Sequence, residues 1–135
     1  MASDPHNWPE DYLDAHERHW EDAELLFRQQ RLANADHLYG LSAECGLKAL
    51  WLVFVDTEVP ASARVHLNHL WPRFVRGVRN RRLSPGIPRQ NPFADWRISQ
   101  RYASRTHVAP QIVESHREGA QGVRNLIREH RRRIL

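Results

Sequence analysis

The chain has 135 residues, of which 41% are hydrophobic, so it suits one domain with a single core of ordinary size. No apolar run approaches the roughly 20 residues needed to cross a bilayer, which argues against a membrane-spanning helix. Cys45 is the only cysteine and the N-terminus is acidic, so we expect no intrachain disulfide, no signal peptide and a reducing, cytoplasmic setting.

The net charge of +4 is unevenly spread along the sequence. Residues 1–60 hold 12 acidic and 4 basic residues, whereas residues 61–135 hold 4 acidic and 16 basic residues. Two interpretations follow. The halves can pair with each other, within one chain or across a dimer, and the basic half can also face a polyanion.

The first helix is predicted after a loose arm of residues 1–8. Pro9, Glu10 and Asp11 suit a helix N-terminus, because proline fits the first turn and acids favour the positive end of the helix dipole. Apolar and histidine side chains then recur at helical spacing and form one face. This face comprises Tyr12, His16, His19, Ala23 and Leu26, with Leu13, Trp20 and Phe27 in a neighbouring row.

The second helix is predicted over residues 34–55, with Asn34 or Asp36 as its cap. It is apolar nearly all round, so we expect it to be the central and most buried helix. Gly46 lies inside it, where a glycine costs about 1 kcal/mol. Close packing against a neighbouring helix is the expected reason for this glycine.

The rest of the chain predicts further helices and no sheet, because no period-2 run is flanked by turn signals. A third helix is expected over residues 65–82, with Pro72 as the place for a bend. A proline-rich loop over residues 84–96 follows, then a short helical segment, "RISQRYAS", and a long final helix from Ala109. The prediction is therefore an all-α single domain, 1–135, built as an antiparallel up-and-down bundle of four main helices plus a short fifth.

Arginine and histidine are the residues that could carry chemistry, because the chain has neither a phosphate-cradling glycine loop nor a serine nucleophile elbow. An arginine binds phosphate through its planar fork, and a histidine transfers protons near neutrality. Such a pair can cleave RNA without a metal. Two pairs have five residues between their members. They are Arg101 with His107 and, as the alternative, Arg124 with His130.

Each of these pairs also has a structural interpretation. Arg101 could bind an acid of the first helix, and His130 could cover the end of the core. Around the first pair, further positive charge marks the expected nucleic-acid-binding residues, Arg97, Arg105 and Arg117.

Two His-x-x-His pairs offer a third hypothesis, a metal site. His16 with His19 and His66 with His69 each share a helix face and could complete a tetrahedral site if the two segments meet. No acidic or cysteine cluster accompanies them. We therefore predict no metal and no other cofactor.

The segment from Leu38 to Leu50, "LYGLSAECGLKAL", resembles a helix of the HEPN superfamily (higher eukaryotes and prokaryotes nucleotide-binding domain). "HLNHLW", residues 66–71, resembles the start of that family's next helix, and "WRISQRYAS", residues 96–104, resembles its Arg-Tyr segment before the last helix. The resemblance covers most of residues 11–130. It implies a helical bundle, often a homodimer.

The resemblance also implies a function. Many HEPN members are toxin RNases that carry an arginine, four to six residues and then a histidine, and others act with small nucleotidyltransferases. Arg101 and His107 meet that spacing, although Tyr102 stands where a polar residue often follows the arginine. The expectation is a nucleotide- or RNA-binding protein and a metal-independent endoribonuclease of a toxin–antitoxin or defence system, with an antitoxin or nucleotidyltransferase as partner. The alternative is a non-catalytic HEPN-like module that docks a partner protein.

Overall fold

The computed structural model describes residues 10–83 and 86–134, and this part of the chain is helical with no β-strand. The four main helices are α1, Tyr12–Arg28; α2, Leu32–Phe54; α3, Leu67–Asn80; and α4, Pro110–Glu129. A short fifth helix, α5, spans Arg131–Ile134, and 3₁₀ helices span Ala61–Ala63, Ile98–Tyr102 and Arg105–His107. The predicted all-α bundle of four main helices and a short fifth is confirmed. The predicted arm, residues 1–8, lies outside the described residues.

A tight turn makes α1 and α2 antiparallel. Asp11 caps the start of α1 by accepting a hydrogen bond from the backbone N–H of Asp14, at 3.0 Å. At its end, Gln30 adopts the left-handed region, with φ of 62°. The N–H of Arg31 then reaches back to the carbonyl of Leu26, at 2.8 Å, as in a Schellman motif. The chain therefore reverses within three residues and α2 returns along α1.

Helix α2 is the central helix, as predicted, and packs against α1, α3, α4 and α5. Leu47 and Leu50 are fully buried. The predicted cap is wrong, because the helix begins at Leu32 and Arg31 precedes it without a side-chain cap hydrogen bond. Asp36 is buried inside the helix, where it has a different role.

Two glycines of α2 allow neighbouring segments to approach closely. A Cβ on Gly46 would lie 2.6 Å from Cγ1 of Val123 and 2.9 Å from Nδ1 of His16. A Cβ on Gly40 would lie 2.0 Å from the ring of Trp96. The prediction of close packing at Gly46 is confirmed, since any larger side chain would displace α1 and α4.

Pro72 lies inside α3 and explains how the proline-rich loop is attached. Because proline has no N–H, the carbonyl of Asn68 lacks its usual helical donor. The side-chain amide of Asn91 donates to that carbonyl, at 3.2 Å, and Nε1 of Trp71 donates to the carbonyl of Pro88, at 3.0 Å. The loop is thereby fixed against α3, and its described part, residues 86–96, contains no helix, as expected.

The final helix is shorter than predicted. It breaks at His130, which ends α4, before the single turn of α5. None of the helices in residues 10–83 and 86–134 combines the length and apolar character that a membrane span requires.

Candidate anion-binding surface

Three acids from the first half of the chain bind groups from the second half. They are Glu24, Asp36 and Glu44, and their partners include Arg117, His116 and His66. Pairing between the halves, one of the two interpretations of the charge distribution, therefore occurs within one chain. These contacts also determine which basic residues are already engaged.

Glu24 engages Arg117, one of the predicted nucleic-acid-binding residues. Nε and Nη2 of Arg117 donate to the two carboxylate oxygens, at 2.6 Å and 3.0 Å, and the hydroxyl of Tyr39 adds a third bond at 2.6 Å. The Arg117 hydrogen bonds hold the pKa of Glu24 below its usual value. The guanidinium also lies 4.9 Å from the centre of the Phe27 ring. Arg117 therefore joins α4 to α1.

Asp36 and His116 form a buried pair, and the exposed Asp95 binds the other ring nitrogen of His116. Nδ1 of His116 lies 2.6 Å from a carboxylate oxygen of Asp36, and Nε2 lies 2.7 Å from Asp95. Nε2 of Gln100 donates to the second oxygen of Asp36, at 2.6 Å. Burial favours the neutral imidazole, but the bonds to both aspartates outweigh burial and raise the pKa of His116. The cluster ties the proline-rich loop to α2 and α4, and no local sequence pattern predicted it.

Glu44, part of the HEPN-like motif, holds the start of α3. Its carboxylate accepts from the backbone N–H of Leu67, at 2.9 Å, and lies 3.2 Å from Nδ1 of His66. Lys48 lies 3.5 Å away on the same helix. A carboxylate at a helix N-terminus stabilises the unpaired N–H groups there. In this fold the Glu44–Lys48 pair thus has a structural role.

Most arginines, by contrast, have no acidic partner. In residues 10–83 and 86–134, only Arg18 and Arg117 lie within 4.0 Å of a carboxylate. Helix α3 contains no acid and carries Arg73, Arg76 and Arg79, which recur every three residues and are exposed. Exposed arginines directly after the helix extend this surface, which we call the α3 arginine surface: Arg73, Arg76, Arg79, Arg81 and Arg82.

Arg101 and His107, the predicted catalytic pair, lie on two separate 3₁₀ helices. Both side chains are exposed, and neither forms a hydrogen bond or ion pair with the described residues. The guanidinium of Arg101 lies 4.7 Å from the centre of the Tyr102 ring, which is 79% exposed. The alternative interpretation of Arg101 was an ion pair with an acid of α1. The described residues contain no such ion pair.

A groove of about 640 Å³ lies between the α1–α2 turn and the segment that carries Arg105, and neither Arg101 nor His107 lines it. Its walls are residues 29–34 together with Ala103, Arg105 and Val108. Arg31 and Arg105 give the groove positive charge without an acid among its lining residues. Arg97 does not line this groove, and its guanidinium donates to the carbonyls of Ala94 and Trp96.

The alternative pair, Arg124 and His130, contacts different neighbours. The Arg124 guanidinium lies 5.5 Å from the Trp20 ring centre, whereas His130 packs edge-on against Phe54, with ring centres 4.8 Å apart. The histidine that shares a cavity with Arg124 is His16. The sequence contained the signal for its burial, since His16 lies on the apolar face predicted for the first helix.

The two His-x-x-His pairs do not build a metal centre in the described residues. His16 is fully buried, whereas His66 and His69 are exposed on α3's side of the molecule. Across the described ranges, no three histidine, cysteine, aspartate or glutamate side chains gather as metal ligands. Burial raises the pKa of the Cys45 thiol to about 11, so this cysteine is a poor nucleophile at neutral pH.

Comparisons with known proteins found no match for this chain. No protein-family model, no curated protein and no solved structure matches the chain.

Proposed function

We propose that this chain is a HEPN-like protein that binds RNA or nucleotides through their phosphate groups. The observation that carries the proposal is the set of exposed arginines without carboxylate partners, concentrated on the α3 arginine surface. Three acids of the first half, Glu24, Asp36 and Glu44, bind Arg117, His116 and His66 and not the arginines of that surface.

The physical basis is the electrostatics of polyanion binding. Each arginine that contacts a phosphate releases condensed counterions, so affinity falls as salt rises. Arg73 and Arg81 donate to backbone carbonyls of their own segment, His69 and Gly77, at 3.0 Å and 3.1 Å. These bonds leave the remaining guanidinium donors free for phosphate.

Metal-independent RNA cleavage is the second candidate function, and the exposure of Arg101 and His107 favours it. His107 would take the proton of the ribose 2′-OH, and Arg101 would stabilise the charge that develops on the phosphate. Since neither side chain has a partner in the described residues, both are free to meet a substrate. Such an enzyme would act in a toxin–antitoxin or defence system, as a homodimer.

The alternative is a non-catalytic module that docks a partner protein, such as an antitoxin or a nucleotidyltransferase. The same arginines would then bind an acidic protein surface instead of phosphate. The two functions differ in what binds the arginines, RNA in one case and an acidic protein in the other.

RNA binding is tested with a labelled single-stranded oligonucleotide over a range of salt concentrations. We expect the combined variant Arg73→Gln, Arg76→Gln and Arg79→Gln to bind more weakly. The slope of log affinity against log salt should fall by about 0.7 for each phosphate that no longer meets an arginine, or roughly 2 in all. Arg18→Gln is the matched control, because Arg18 is exposed but already lies near Asp14. Equal slopes for the triple variant and the wild type would remove the α3 arginine surface from the proposal.

Cleavage is tested separately, in buffer with a chelator. We expect the wild type to cut RNA, and Arg101→Ala and His107→Ala each to lose at least about a hundredfold in rate. His130→Ala should retain activity, because His130 packs against Phe54. If the wild type binds RNA without cutting it, the chain is a binding protein. If it binds no RNA at low salt, the RNA-binding proposal is wrong and the docking module is the function to test next.

A further inference from the structure

Tyr102 is the most exposed large hydrophobic side chain in the part of the chain that the structure describes. Its exposed fraction is 79%, whereas no other exposed large hydrophobic side chain there exceeds 47%. The other two tyrosines differ from it, since Tyr39 is fully buried and Tyr12 packs partly buried against the core. A tyrosine ring offers a large flat apolar surface, which is typical of positions that receive another molecule.

The backbone that carries Tyr102 is held in place by buried contacts. Tyr102 ends the 3₁₀ helix Ile98–Tyr102, and Nε2 of Gln100 in this helix donates to the carboxylate of Asp36, at 2.6 Å. Trp96, just before the helix, is fully buried, and its Nε1 donates to the backbone carbonyl of Asp36, at 3.3 Å. The ring is therefore presented from a segment bound to α2, which reduces the entropy lost when a ligand binds.

One face of the Tyr102 ring already has a planar cation beside it. The guanidinium of Arg101 lies 4.7 Å from the ring centre. Because the side chain is still 79% exposed, this contact leaves the opposite face of the ring open to solvent. Nucleobases stack on tyrosine rings and on arginine planes, so the open face suits a base.

The surroundings of Tyr102 favour a ligand in which the flat group is joined to phosphate. Residues 97–107 contain three arginines and no acid, and the preceding acid, Asp95, binds His116. Ala103, the residue after Tyr102, lines the groove of about 640 Å³ that also contains Arg105. Tyr102 and Arg105 are three residues apart, so their Cα atoms are separated by at most about 11 Å. An exposed aromatic ring beside a positively charged groove is the combination that binds single-stranded nucleic acid.

We infer that Tyr102 stacks on an unpaired nucleobase whose attached phosphate is bound by the neighbouring arginines. The ligand is then single-stranded RNA or a free nucleotide, and not duplex RNA. In a duplex each base is paired and covered by its neighbours, so no face remains for the tyrosine ring. This inference rests on the proposed RNA- or nucleotide-binding function and adds the substrate class to it.

The first test compares binding of a single-stranded RNA oligonucleotide with binding of a duplex of the same sequence. Tyr102→Ala should weaken single-strand binding at least about fivefold, the low end of the effect of losing one stacked base. Its salt dependence should not change, because no ionic contact is removed. Duplex binding should also stay within about twofold of the wild type.

Three matched variants isolate the contribution of the flat ring. Tyr102→Phe keeps the ring and should bind single-stranded RNA within about twofold of the wild type, whereas Tyr102→Leu keeps apolar bulk alone and should bind as weakly as Tyr102→Ala. Leu52→Ala is the control for loss of an exposed apolar side chain, since Leu52 is 42% exposed and lines a different groove. It should not change affinity.

Failure of the inference is distinguishable from failure of the proposed function. If the wild type binds single-stranded RNA and Tyr102→Ala binds it equally well, the stacking role is wrong and the RNA-binding proposal stands. If the wild type binds no RNA and no nucleotide at low salt, both are wrong.

The second test observes the Tyr102 ring directly by NMR, with AMP, a single-stranded hexa-adenylate and inorganic polyphosphate as ligands. A stacked base should move the Tyr102 ring proton resonances upfield, whereas polyphosphate, which has no base, should not. An upfield shift at similar concentrations of AMP and hexa-adenylate identifies a free nucleotide as sufficient, and a shift with hexa-adenylate alone identifies single-stranded RNA. Equal shifts with polyphosphate and hexa-adenylate, or no shift with saturating hexa-adenylate, would overturn the inference.

Discussion

His16 and His116 are both buried, with exposed fractions of 0% and 1%, but their surroundings shift their pKa values in opposite directions. His116 has a carboxylate at each ring nitrogen, and its pKa is raised. His16 has a backbone carbonyl at one nitrogen and no described partner at the other, and its pKa is lowered. Similar burial thus accompanies a lowered pKa in one region and a raised pKa in the other, so hydrogen-bond partners decide the direction of the shift.

The difference extends to what each histidine does for the fold. His116 connects Asp36 of α2 to Asp95 of the proline-rich loop, and all its hydrogen-bonding capacity is used within the chain. Nδ1 of His16 lies close to Gly46, and Nε2 is buried without a hydrogen-bond partner among the described residues. His116 therefore joins α2, α4 and the proline-rich loop, whereas His16 joins α1 to α2 through one ring nitrogen.

The largest expected effect is the loss of His116. His116→Ala leaves the carboxylate of Asp36, which is 2% exposed, without its charged partner. Breaking a buried pair in this way should lower the free energy of unfolding by about 3–5 kcal/mol. Asp95→Ala should cost less than about 1 kcal/mol, because the Asp95 side chain is 62% exposed. Urea denaturation measures both, and equal losses would show that Asp36 is not the essential partner.

An apolar substitution in α2, the helix that contains Asp36, provides a scale for that loss of stability. Leu50 is fully buried in α2, so Leu50→Ala should lower the free energy of unfolding by about 2–5 kcal/mol. Leu52→Ala is the control, because Leu52 is exposed on the same helix. A loss well under 1 kcal/mol for Leu50→Ala in the same urea experiment would contradict the central position of α2.

Local periodicity is enough to predict the helices, since burial of one face is encoded in the spacing of apolar residues. The central position of α2 follows from its apolar surface, and the tight packing at Gly46 follows from the cost of a helical glycine. The predicted start of α2 is wrong because aspartate often caps helices, and Asp36 was interpreted as a cap although it lies inside the helix. Its partner, His116, is 80 residues away in sequence, and no local pattern indicates such a contact.

The candidate sites are predictable only as residue types. The sequence indicates that an arginine near a histidine could bind phosphate, and it favours Arg124 with His130 as one pair. Which histidine meets Arg124 depends on how α1 packs against α4, and in the fold it is His16. Similarly, the sequence predicts that Arg117 is free to bind nucleic acid. It cannot show the bond from Arg117 to Glu24, because that bond joins positions 93 residues apart.

The smallest expected effect is a difference in how stability depends on pH. It tests the comparison between His16 and His116 directly. A group with a raised folded pKa stabilises the protein below its unfolded pKa and loses that contribution as pH rises through the folded pKa. For His116, the contribution is therefore complete below about pH 6.5 and declines above it. For His16, with a lowered pKa, the contribution is complete above about pH 6.5 and declines as pH falls below it. Each single site changes stability by at most about 1.4 kcal/mol per pH unit.

Unfolding free energies of the wild type, His116→Gln and His16→Gln between pH 5.5 and pH 8 separate the two contributions. The stability lost in His116→Gln should shrink as pH rises, whereas the stability lost in His16→Gln should grow. His19 and His37 also have lowered pKa values, but they remain in all three proteins and cancel from these differences. If both differences change in the same direction with pH, the pKa values of the two buried histidines are shifted in the same direction, and the contrast between an aspartate-bound and a carbonyl-bound ring does not hold. Opposite trends would leave the hydrogen-bond partners as the cause, because burial is the same at both sites.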